Sequence, residues 1–179
     1  MFRTVRLILV IAAVISIAGC QPGGILGGRM NSSADEPTIT KSQALTRIEQ
    51  LINGTVGVIR PKPRLKLYRP SLIDGVCDNP LGPGFEDPIE VSREYHLEGL
   101  PKDESALRRV VADVKAYWQK EGHNITAEHE NGLQLFGHSR PDDFLITIGR
   151  VADNVLTLTA TSTCLWPNGT PEPSPTTTP

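Results

Sequence analysis

Hydrophobic positions along the chain follow three rhythms. Leu7 to Ile17 form a continuous apolar run that stops before Gln21-Pro22-Gly23-Gly24, short of the roughly 20 residues a membrane span needs. Further on, Ala44, Ile48, Leu51 and Ile52 recur at helical spacing behind Thr40 and Gln43, which read as a capping box, and Asn53-Gly54 is expected to stop that helix. From Arg64 the period shortens to two. Leu65 and Leu67 alternate with Arg64, Lys66 and Tyr68, the pattern of a strand with one apolar face.

A loop over 78–88, crowded with Pro and Gly, is long enough for a crossing connection or a binding loop. Residues 89–97 read as a second strand, with Ile89, Val91, Arg93, Tyr95 and Leu97 on one side. The clearest helix starts at Asp103, Glu104 or Ser105 and carries Leu107, Val110, Val111, Val114, Tyr117 and Trp118 as its apolar stripe as far as Gly122. Strands are expected over 124–129, 133–138, 144–150 and 155–164, with turns at Asn131-Gly132 and Asp153-Asn154. The predicted fold is α+β: a mainly antiparallel sheet with two helices on one face.

The turn in His129-Glu130-Asn131-Gly132-Leu133 sets a register. A two-residue Asn-Gly loop places Leu133 and Leu135 with Glu128 and Glu130, whereas a three-residue loop with Gly132 left-handed places them with Ile125 and Ala127. The second separates apolar from polar side chains and is the expectation. It puts His138 on the opposite face from His123 and His129, so no shared metal is expected, with His96 able to join from another strand only by chance.

The first apolar run has the flanks of an export signal: Arg3 and Arg6 before it, Ala18 and Gly19 after it. Ile17-Ala18-Gly19-Cys20 resembles the bacterial lipobox, which implies a signal peptide over 1–19, lipid on Cys20 and an anchored protein on the extracytoplasmic face of the cell membrane. Residues 20–38, with Gly23, Gly24, Gly27, Gly28, Ser32 and Ser33, have the composition of a tether, and 39–166 form one expected domain. The Pro- and Thr-rich stretch 167–179 is expected to remain disordered.

If Cys20 carries lipid, Cys77 and Cys164 remain as a pair in an oxidising compartment and are expected to form a disulfide. It would close a loop of nearly ninety residues and remove about 4 kcal/mol of unfolded-state entropy. Two free thiols or a redox pair would lack the CxxC spacing. Loss of Arg3 and Arg6 with the signal leaves 16 basic against 20 acidic side chains, an acidity that argues against nucleic acid as a partner.

Catalytic signatures are sparse. No GxSxG elbow, HExxH helix or phosphate-cradling Gly loop occurs, and no cofactor is expected. Glu86, Asp87 and Glu90 cluster beside the loop, where paired carboxylates could do acid/base work, although acidic loop residues are usually solvated. Arg60, Lys62, Arg64 and Lys66 fall at every second position, so an extended strand would present all four on one side. Such a row could meet anionic lipid headgroups or a wall polymer, or it could merely guard a sheet edge against pairing.

The whole pattern resembles small secreted lipoproteins of actinobacteria. The resemblance rests on Cys20 in its lipobox, the Cys77 strand with its acidic loop, the helix ALRRVVADVKAYWQKEGHNI and the ending TSTCLWPNGTPEP. It implies location and fold and supplies no catalytic residues. The expected role is a lipid-anchored envelope protein that presents a binding surface to an envelope protein or anionic polymer. The alternatives are an envelope hydrolase using loop 78–88, or a purely structural spacer.

Overall fold

A computed structural model describes residues 38–174. Cys20, the signal segment, most of the expected tether and the last five residues lie outside that range. Among the described residues, two helices and eight strands follow in the order α1 (Lys41–Val58), β1 (Arg64–Leu67), β2 (Gly75–Val76), β3 (Ile89–Glu90), β4 (Ser92–Glu98), α2 (Glu104–Lys120), β5 (Asn124–His129), β6 (Gln134–His138), β7 (Leu145–Val151) and β8 (Val155–Thr161). A six-stranded sheet runs β1-β4-β8-β7-β6-β5, antiparallel throughout, and β2 and β3 form a separate pair. Neither helix is long and apolar enough to cross a membrane.

Both helices lie on one side of the sheet, α1 against β4 and β8 and α2 against β5 and β6. Their stripes meet the inward side chains of the central strands: Ile48, Ile52, Leu107 and Val114 bury with Leu97, Ile148, Leu156 and Leu158. Thr40 caps α1 through the reciprocal pair expected from its sequence: its hydroxyl accepts from the Gln43 N–H, and the Gln43 side chain accepts from the Thr40 N–H. Asp103 caps α2, its carboxylate accepting from the Ala106 N–H.

The first helix overruns its expected end. Asn53-Gly54 sits inside α1, which continues to Val58, and the glycine serves packing: a Cβ at Gly54 would lie 2.5 Å from the Tyr117 hydroxyl of α2. One residue later the Thr55 hydroxyl donates to Leu51 O and accepts from Trp118 Nε1 at 2.8 Å, both in the buried layer between the helices.

The expected register of the β5–β6 hairpin is overturned. His129 pairs with Gln134 and Glu128 with Leu135, as the two-residue loop would have it, around a turn in which Glu130, Asn131 and Gly132 are all left-handed. Polar and apolar residues are sorted by a bulge instead, because the pairing slips between Ile125 and Ala127. Ile125 thereby packs on the core, while Glu128 faces α2 and meets Lys115 Nζ at 2.5 Å. Gly137 makes room for the slip, since a Cβ there would come within 2.9 Å of Asn124 O.

The disulfide forms as expected, Cys77 to Cys164 at 2.03 Å, joining the end of the β2 segment to the chain after β8. The chain also stays attached to the fold beyond Trp166. Pro167 O accepts from Lys41 N–H, Gly169 O from Thr38 N–H and Glu172 O from Glu86 N–H, so ordered structure extends eight residues past the boundary that composition suggests.

Candidate ligand groove on the open sheet face

With both helices on one side, the other side of the sheet has no helix over it among the described residues. Alternation along the strands gives that outer side Arg64 and Lys66 from β1, Glu94, His96 and Glu98 from β4, Thr157 and Thr159 from β8, and Gln134 and Phe136 from β6. Extended pairing carries past the end of β1: Tyr68 N–H donates to Glu94 O, so the Tyr68 ring falls beside His96, two residues along β4 on the same side. The rings stack with centroids 5.6 Å apart and planes 13° from parallel. Ser71 pins the following turn, its hydroxyl donating to Tyr68 O and accepting from Glu94 N–H.

Tyr68, Glu94 and His96 form one wall of a groove of about 500 Å³ whose far side is the β7–β8 hairpin, with Val151, Asp153 and Val155. His96 Nε2 stands 3.9 Å from Glu94 Oε1. The groove therefore combines a stacked aromatic-imidazole platform, two carboxylates that accept hydrogen bonds and an apolar wall, the composition of a surface that orients a ligand. It is shallow and open to solvent.

The four basic residues expected to form one row part company. Arg64 and Lys66 lie on the outer side at the sheet edge, both within reach of Glu98, at 3.8 and 3.5 Å. Arg60 turns back instead: its guanidinium donates to Gly57 O and Ile59 O and closes the C-terminal end of α1. Lys62 stands between two prolines ahead of β1, and Pro63 beside it is buried, so no continuous strand exists to align the four.

In the loop, Asp87 accepts from the Asn79 side chain, which also donates to the Phe85 and Glu86 carbonyls; these bonds hold the loop's shape. Glu90 projects from β3 near the disulfide, with its carboxylate within 4.8 Å of both sulfurs, but those sulfurs are bonded to each other. The histidines disperse differently from expectation. The turn register, with His129 opposite Gln134, leaves His129 and His138 on the same outer side, His129 edge-on to Phe136, and it is His123 that stands apart.

His123 Nδ1 accepts the Arg140 N–H at 3.2 Å. Burial and then the nearby Arg47 cation hold its pKa below the ordinary imidazole value. Arg47 itself pairs with Asp142 at 2.5 Å, and Asp142 also accepts from the Ser139 hydroxyl. Burial opposes the Asp142 charge, but these hydrogen bonds outweigh it and its pKa lies below the usual carboxylate value. On the inner side, burial first and the hydrogen bond to Glu49 second push the Tyr95 hydroxyl up to about 12, so it remains a donor joining β4 to α1.

The groove is absent from a reading of the sequence because its walls come from three separate segments. The signal was present in the period-two pattern: extending β1 by one residue and pairing it antiparallel with 92–98 brings Tyr68 beside His96. Comparisons with protein-family models, curated proteins and solved structures return no match for this chain.

Proposed function

We infer that this is a lipid-anchored cell-envelope protein whose domain presents a ligand-binding face outside the cytoplasmic membrane. The observation that carries the binding role is the layering of the fold: both helices are spent on one side of the sheet, and the other side offers a shallow groove with Tyr68, Glu94 and His96. A shallow, open site suits recognition better than chemistry that must exclude water. The anchor is supported by the lipobox at Cys20, and an oxidising compartment by the Cys77–Cys164 bond.

Two measurements test this reading. Crosslinking in intact cells should recover the same envelope component with the wild-type chain and lose it with Tyr68→Ala/His96→Ala; identical recovery from both rejects the groove. Cys20→Ala should move the protein from the membrane fraction to the soluble fraction. Unchanged fractionation rejects the anchor.

A further inference from the structure

Ile73 and Val76 keep 78% and 76% of their full exposure, the highest among the large apolar side chains of the described residues. They flank Asp74 and Gly75 at β2, and Leu72 beside them is exposed as well. The Asp74 carboxylate is held by Lys41 Nζ at 2.5 Å, which sets this corner against the first turn of α1, and Ile39, just ahead of that helix, is also exposed. The described fold begins at Thr38, tied there by its bond to Gly169 O. The apolar corner is thus where the chain enters the domain from its N-terminal side.

What lies beyond Thr38 indicates what this corner meets. Only residues 21–37 separate it from Cys20, a length that spans at most about 60 Å when fully extended. A lipid on Cys20 would hold the corner within that distance of the bilayer, and no other part of the described fold has a shorter path along the chain to Cys20 than this entry point. Local charge carries no positive excess: Lys41 offsets Asp74, Arg69 on the preceding turn and Glu90 on β3 have opposite signs, and the exposed Asp78, two residues past Val76, adds one negative charge. Apolar burial, not attraction to anionic headgroups, is what such a corner can offer a membrane.

We propose that Ile73 and Val76 seat in the interfacial layer of the bilayer that holds the anchor, so that the domain stands on this corner; the proposal rests on the anchor reading given above. Because the surrounding charges carry no positive excess to attract anionic headgroups, the contact resists salt, unlike one made by Arg64 and Lys66.

The test uses the full chain, processed and lipidated in its host and reconstituted in phosphatidylcholine vesicles that carry a spin-labelled lipid. An environment-sensitive fluorophore is placed at Ile73→Cys and, separately, at Asp113→Cys on the exposed side of α2, with the native disulfide left oxidised. The expected result is severalfold stronger quenching at position 73 than at 113, unchanged in about 1 M salt. Equal quenching at the two positions in vesicle-bound protein overturns the contact and leaves the anchor standing. Shielding of position 73 from an aqueous quencher without quenching by the lipid label also overturns it, in favour of a protein partner or second copy. Protein that washes off the vesicles overturns the anchor, and the contact with it.

Discussion

Thr55 uses one hydroxyl to serve two helices, donating to Leu51 O within α1 and accepting from Trp118 Nε1 of α2. Thr55→Val keeps the shape and removes the acceptor, so the buried indole N–H is left unpaired. Stability should fall by about 1–3 kcal/mol, measured by denaturant unfolding. His123 gives a pH signature. Its folded pKa is depressed, so the unfolded chain binds the proton more readily; the stabilisation is complete above the ordinary imidazole pKa and is lost as pH falls through that value toward the folded one. Asp142, also depressed, adds a second loss at lower pH, in and below the carboxylate range. His123→Gln should therefore flatten the upper part of the acid profile and leave the lower part in place, as followed by melting temperature against pH. Neither network was legible in the sequence, because both join positions between roughly sixty and one hundred residues apart through contacts that no local pattern encodes.

Elements were legible where local chemistry decides them. The Thr40 capping box and the α2 stripe appear as their residues dictate, as do the strands after α2, but the single strand expected over 89–97 breaks at Val91 into β3, paired with β2, and β4 of the large sheet. Asn53-Gly54 misled because a glycine can serve close helix approach as well as helix termination, and only the Tyr117 neighbour tells which. The β5–β6 register misled because one bulge sorts the faces after the turn has set the pairing. The basic row dissolved because Arg60 finds the bare carbonyls at the end of α1. The disulfide is the element-scale clip most open to test. It encloses a separation of 87 residues, and Cys77→Ser/Cys164→Ser should lower stability by about 2–5 kcal/mol, with reduction of the wild-type protein giving a similar loss.

At the scale of the whole molecule, the fold divides its labour by side and by corner. One side of the sheet is spent on the core, the other carries the Tyr68–His96 groove, and the entry corner carries Ile73 and Val76. The fold class could be read from the chain because periodicity and the cysteine count report on layers; the groove could not, because it exists only once β1 lies against β4. A last consequence follows from the bond between Thr38 N–H and Gly169 O. The polypeptide enters its folded unit beside the segment by which it leaves, with only 170–174 running on to Gly84, so a linker that replaces that run would close the unit into a ring with one seam. A ring can be cut elsewhere: with the seam bridged by a short linker and new ends opened at Ala152–Asn154, the same domain would hang from a different point of its circumference.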